Sequence, residues 1–307
     1  LTRTGSSGET GAMSRAKISD VIELEYDTFG SPSDPALLLI MGFTAQMVAW
    51  DPELCHMLAD GGLHVIRFDN RDCGLSTHLD GVEVKIDDVM RAATMDEAIP
   101  WVPYTLSDMA ADAVGLLDHL GIQQAHVLGA SMGGMIAQTF AIAYPQRTRT
   151  LTSIMSTTGE PEYGQSTPEA LEALLTPPPT DRQGYIEYSP RWQAWHSKKY
   201  CSDEISFAAA ARDYDRMYYP EGGSRQLAAI YASSSRGEAL QKIDVPTLVV
   251  HGTDDTLISP SGGRRTAELI PHARLLMVED MGHDLPRPLW PEIVSAVHEL
   301  TRAVAVQ

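Results

Sequence analysis

Short apolar runs along this 307-residue chain alternate with stretches in which an apolar residue recurs every three or four positions. The runs at residues 36–41, 64–68, 125–128, 151–155, 245–251 and 273–278 have the length of buried strands, and most are followed by loop-forming residues. Between them, residues 106–120 place Leu106, Met109, Ala110, Ala113, Leu116, Leu117 and Leu120 on one helical face, and Gly121 then stops the helix. Residues 135–144 read as a further helix. From Pro291 onward, Ile293, Val297, Leu300 and Val304 form the apolar face of a closing helix. A hairpin is expected near residues 18–29. The alternation of strand and helix predicts an α/β domain with a largely parallel sheet.

The alternation breaks once. After residues 151–155 no strand pattern recurs until Val245, and the interval holds Pro177-Pro178-Pro179 between helical patterns. Residues 159–240 are therefore expected to be a helical insertion, with 18–158 and 241–307 forming the core. Residues 1–17, polar and rich in Gly, Ser and Thr, are expected to be a flexible tail, since they lack an apolar stretch of signal-peptide length.

The chemistry concentrates where strands end. Gly129-Ala130-Ser131-Met132-Gly133 joins the run at 125–128 to the helix at 135–144, the arrangement of a nucleophile elbow. Small neighbours let the backbone bend sharply at Ser131, and the helix N-terminus behind it favours developing negative charge. A serine hydroxyl needs a base, and the base needs a partner to orient it. Downstream, the run at 245–251 leads into Gly252-Thr253-Asp254-Asp255, and the run at 273–278 into Glu279-Asp280-Met281-Gly282-His283. Alone, an Asp after a Gly is a turn former and a loop histidine a solvated surface group. Three residue types in this order, each after its own strand, point instead to Ser131 as nucleophile, His283 as base and Asp255, in preference to Asp254, as the orienting acid. His126 and His251 read as strand residues and His298 as a helix residue.

These motifs resemble the α/β-hydrolase superfamily over nearly the whole chain from about Ile18. Asp69-Asn70-Arg71-Asp72-Cys73-Gly74-Leu75-Ser76 is similar to its D-x-R-G-x-G-x-S turn, Gly252 to Asp255 to its G-x-x-D acid motif, and Met281-Gly282-His283 to its G-H motif. Asp72 and the Met-Gly-His-x-Leu-Pro run resemble the aclacinomycin methylesterase type and related actinobacterial esterases and lipases. The resemblance implies a mostly parallel eight-stranded sheet flanked by helices, an inserted helical cap, and an oxyanion hole made by the backbone N–H groups of Met132 and Phe43. The chain carries Met41-Gly42 where His-Gly is common. Arg71 and Asp72 are read as structural, holding a turn by side-chain hydrogen bonds.

Composition narrows the setting. The net charge of −18, with a pI near 4.8, argues against nucleic acid and anionic membranes as partners. The longest apolar run is too short to span a bilayer, so no integral membrane association is expected. Cys55, Cys73 and Cys201 lack the spacing of a disulfide framework or a zinc site, and a reducing, cytoplasmic setting fits them. No metal or organic cofactor is required by the chemistry, and homodimer formation is left open. Large side chains gather in the insertion. Tyr188 and Tyr219 belong to this group, and Trp192, Trp195, Tyr214, Met217 and Tyr218 are candidate substrate contacts, which favours a small-to-medium apolar ester. The expected activity is that of a carboxylesterase. The alternatives are carbon–carbon bond hydrolysis or perhydrolysis on the same triad, and a non-catalytic small-molecule receptor.

Overall fold

The computed structural model describes residues 14–305. Eight strands form one sheet: β1 (Ser14–Lys17), β2 (Glu23–Phe29), β3 (Ala36–Ile40), β4 (His64–Phe68), β5 (Ala125–Ala130), β6 (Thr148–Ile154), β7 (Thr247–Gly252) and β8 (Arg274–Val278). Their order is β1-β2-β4-β3-β5-β6-β7-β8, antiparallel at the β1–β2–β4 end and parallel from β4 to β8. The central strands β3, β4 and β5 are buried at every position; β3 is apolar throughout, while β4 also buries His64 and Arg67 and β5 buries His126.

The helices are α1 (Pro52–Ala59), α2 (Ile86–Thr94), α3 (Leu106–His119), α4 (Met132–Ala143), α5 (Pro168–Leu175), α6 (Arg182–Tyr188), α7 (Asp203–Met217), α8 (Glu221–Ala232), α9 (Gly237–Leu240), α10 (Pro260–Leu269) and α11 (Trp290–Ala305). Two apolar layers result. One lies beneath α3 and α4, with Leu38, Ile40, Ile66, Met109, Leu116, Ile136 and Phe140; the other lies beneath α1 and α11, with Leu37, Leu39, Val65, Leu248, Val250 and Val297. Alternate residues of β3 face opposite layers, as the twofold period of a strand requires. Among the described residues no helix is long and apolar enough to cross a membrane.

One expectation needs correction. Residues 14–17, assigned to a flexible tail, form β1, which pairs with β2 from Ser14 opposite Tyr26 to Lys17 opposite Glu23. The segment is polar and short, so only Ala16, buried in the first apolar layer, marks it as a strand. Residues 1–13 of that expected tail lie outside the described residues. The hairpin consequently starts earlier than residue 18, with its turn closed by the Ser19 hydroxyl, which accepts from the N–H groups of Val21 and Ile22.

The chain between β6 and β7 runs through α5 to α9 and is tied to the carboxyl edge of the sheet by buried charge. Arg225 on α8 makes a two-pronged bond to Asp72, both contacts 2.8 Å, and Arg216 on α7 reaches Asp69 at 2.8 Å. Asp72 also accepts from the Leu79 N–H, while Arg71 pairs with Asp112 at 2.5 and 2.6 Å, so both side chains hold the turn after β4. Removing one member of a buried pair strands the other charge away from water. Arg225→Met should therefore cost about 3–5 kcal/mol in a urea titration. A loss below about 1 kcal/mol would mean that the helices of this insertion are held by something else.

Candidate active site

Ser131 sits between β5 and α4 with φ 57° and ψ −121°, in a region that costs a side-chain-bearing residue energy. The surroundings impose it. The Ser131 N–H donates to Ile154 O at 2.9 Å, its carbonyl accepts from the Ser156 hydroxyl at 2.8 Å, and Gly134 N and Met135 N also donate to that carbonyl. A Cβ at Gly129 would overlap the Gly133 carbonyl, and one at Gly133 would overlap the Ile40 carbonyl. Only glycine lets the three chain segments close at this point.

His283 stands on the loop after β8. Its Nε2 lies 2.8 Å from Ser131 Oγ and its Nδ1 2.8 Å from Asp255 Oδ2. Asp255 comes after β7 and its side chain is fully buried; its other oxygen accepts from Leu257 N and Ile258 N at 3.0 and 2.9 Å. Burial pushes its carboxyl up, but the neighbouring His283 and hydrogen bonds from His251 and His283 outweigh this and hold it at about 2. It is therefore a carboxylate at any working pH. With Asp255 an acceptor, His283 carries its proton on Nδ1 and offers a bare Nε2 to the serine hydroxyl. Asp254 is directed elsewhere, its N–H donating to Met281 O and its carboxylate accepting from Thr253.

Of the other expected residues, Met132 and the loop at Gly42 adjoin the serine and Trp195 meets the histidine loop, while Trp192, Tyr214, Met217 and Tyr218 lie in the insertion. Met132 opens α4, so its N–H lies in the first turn, where no intrahelical acceptor exists. Gly42 packs against the serine, a Cβ there lying 3.0 Å from Ser131 Cβ and 3.5 Å from Oγ, which brings the adjoining Phe43 to the same corner. That loop is held from the insertion. Thr44 N donates to Gln226 Oε1, and the Gln46 amide donates to the carbonyls of Asp213 and Met217. Trp195 contributes its carbonyl, which accepts from His283 N at 2.7 Å, and so joins the insertion to the histidine loop. Trp192, Tyr214 and Tyr218 gather around Tyr185, with ring centroids 5.3, 5.6 and 4.6 Å from it. Met217 touches the β3 loop through its backbone carbonyl.

Tyr185 in the insertion, and His196, Asp284 and His251 beside the three residues, were not singled out for a site role from sequence. Tyr185 is the hub of the aromatic cluster and shares the i, i+3 pattern of α6 with Tyr188. His196 is half-buried next to His283; loss of solvent, and then the charge that His283 carries when protonated, bring it down to about 4, so it stays neutral. Asp284 is next in the chain after His283 and accepts from Ser197 N at 2.9 Å. Burial pushes it up to about 6, against the pull of the Ser197 and Gly282 N–H groups. His251 places Nε2 3.2 Å from Asp255 Oδ2. Its position next to Gly252 and four residues before Asp255 was the available signal.

Comparison with known proteins fits this architecture. The chain is 27% identical to rhodomycin D methylesterase of Streptomyces peucetius over 94% of its own length and 98% of the relative's. It is 26% identical to 3-oxoadipate enol-lactonase 2 of Acinetobacter baylyi, over 84% of this chain and 85% of that one. In three dimensions it resembles 2-hydroxy-6-oxo-6-phenylhexa-2,4-dienoate hydrolase from Rhodococcus sp. with a TM-score of 0.72, at 18% identity, covering 95% of this chain and 99% of that one. The family model described as alpha/beta hydrolase fold matches residues 35–195 and 207–286. That match takes in the strands that carry Ser131, Asp255 and His283, and with most of the chain covered the protein belongs to the α/β-hydrolase fold family.

Proposed function

We propose that the protein is a serine carboxylesterase that cleaves small-to-medium apolar esters through Ser131, His283 and Asp255. The observation that carries this reading is the unbroken hydrogen-bonded line from Ser131 Oγ through both nitrogens of His283 to Asp255, with both links at 2.8 Å. The two sequence relatives named above act, by name, on a methyl ester and an enol-lactone, both acyl–oxygen compounds. The likeness to the dienoate hydrolase, at 18% identity, speaks for the fold alone.

In this mechanism His283 takes the serine proton as Oγ attacks the ester carbonyl. The oxyanion is held by the N–H groups of Met132 and Phe43, and the charge on His283 is balanced by Asp255. The imidazolium then protonates the departing alcohol. Water enters and repeats the sequence, releasing the acid and freeing Ser131. Residues 159–240 act as a cap over this site, with the Tyr185, Trp192, Tyr214 and Tyr218 cluster and Trp195 bounding the acyl or alcohol group. Apolar walls with a few placed polar groups suit an uncharged ester.

The test is labelling of the protein by a fluorophosphonate together with turnover of p-nitrophenyl butyrate. Labelling confined to Ser131 with matching loss of turnover is the expected result; absence of both would end the esterase reading. The pH profile gives a second check. His283 must be neutral to accept a proton, so kcat/KM should fall with a one-proton slope as the pH is lowered from about 8 to 5. Asp255, at about 2, contributes nothing in that window. A flat profile from about pH 5 to 8 would remove His283 from the role of base.

A further inference from the structure

His251, the last residue but one of β7, is completely buried and uses one edge of its ring only. Nε2 lies 2.8 Å from Ile258 O and 3.2 Å from Asp255 Oδ2. Both are acceptors, so Nε2 must carry the ring proton; it donates to Ile258 O and lies close enough to Asp255 Oδ2 to act on its charge. Nδ1, on the opposite edge, is buried with no hydrogen-bond partner among the described residues and faces Gly263 of α10, where a Cβ would overlap the ring. A buried nitrogen with no partner is a cost that leucine or phenylalanine at this strand end would not carry. The imidazole is thus accounted for by its Nε2–H alone. The oxygen which that N–H approaches is the one that orients His283: Oδ2 pairs with His283 Nδ1 at 2.8 Å on one side, and on another the positive edge of His251, Nε2, stands 3.2 Å away.

We infer that His251 is a positioning residue for the esterase reaction, a second histidine whose Nε2–H shares Asp255 Oδ2 with His283 and thereby sets how basic His283 is. The inference rests on the esterase reading above. Two donors on one carboxylate oxygen divide its negative charge, so each bond is weaker than it would be alone, and His283 takes up a proton less readily. The same N–H, shared with Ile258 O, closes the loop 255–258 around the carboxylate and fixes its plane. The other titratable groups facing His283 are His196, on the segment just after residues 189–194, and Asp284, next in the chain. Asp284 acts in the opposite direction, since its carboxylate favours a protonated His283.

The experiment is the pH dependence of kcat and kcat/KM for p-nitrophenyl butyrate in the wild type, His251→Leu, His251→Gln and Asp284→Asn. Loss of the donor in His251→Leu should move the acid limb upward by about half to one pH unit with KM little changed. His251→Gln, whose amide N–H reaches the same place, should return the limb to the wild-type position. Asp284→Asn should move it downward. An acid limb unmoved in His251→Leu, or moved equally in the Leu and Gln variants, would overturn the inference. If the leucine variant does not fold, the wild-type protein still decides: long-range nitrogen–proton NMR correlations should find His251 as the Nε2–H tautomer, and an Nδ1–H tautomer would overturn the inference. Absence of Ser131-dependent hydrolysis in the wild type would instead strike the esterase reading itself.

Discussion

Replacing Ser131 with alanine is expected to lower kcat for p-nitrophenyl butyrate by about a million-fold while leaving the melting temperature close to that of the wild type. The two halves of this result have separate physical causes. The catalytic loss is large because Ser131, His283 and Asp255 act as one unit, and without Oγ the base has nothing to activate. What survives is whatever the oxyanion donors and simple binding achieve with water as the nucleophile. The fold should be spared because alanine keeps the Cβ and meets the same backbone demand at φ 57° that serine already meets. The hydrogen bonds that fix the turn, given to Ile154 O and accepted from the Ser156 hydroxyl and Gly134 N, involve only the Ser131 backbone. Near-wild-type turnover by purified Ser131→Ala would remove the serine from the mechanism. It would at the same time favour a receptor-like role for the site.

Local regularity decided how much of this arrangement could be read from sequence. Strands β3, β4 and β5 are buried on both faces, so apolar residues dominate them in spite of His64, Arg67 and His126, and each ends in a turn or loop at the carboxyl edge. Because chemistry gathers at that edge in parallel sheets, Ser131, Asp255 and His283 stood out as the residues just past β5, β7 and β8. β1 carried too little signal. Its one buried apolar residue, Ala16, gives no alternation to detect, and the strand exists because β2 offers it an edge. The ties between the insertion and the core left no mark at all. Arg225 and Asp72 are 153 positions apart, and Gln46 and Met217 are 171 apart. Nothing in either local pattern announces such partners. His251 shows a different limit: as the end of a buried strand it reads as packing, and only the distance to Asp255 gives it chemical meaning.

Asp255→Asn should lower kcat by about ten-thousand-fold, whereas Asp254→Asn should change it little. The reason lies in the donors around position 255. Leu257 N and Ile258 N both point at Oδ1, so an asparagine must keep its carbonyl oxygen there and turn its NH2 toward His283 and His251. His283 donates to that place, and His251 Nε2 stands 3.2 Å from it. Faced with another donor, His283 is driven to the tautomer with the proton on Nε2, and that nitrogen then donates to Ser131 Oγ where it should accept. The base is lost although every heavy atom remains in position. Asp254 has no such link, its carboxylate accepting from the Thr253 hydroxyl on the outer side of the loop. Raising the pH should not rescue Asp255→Asn, because the defect is the location of a proton and not its presence. A kcat for Asp255→Asn within about tenfold of the wild type, or a larger loss in Asp254→Asn, would transfer the orienting role away from Asp255 and break the proposed line at its buried end.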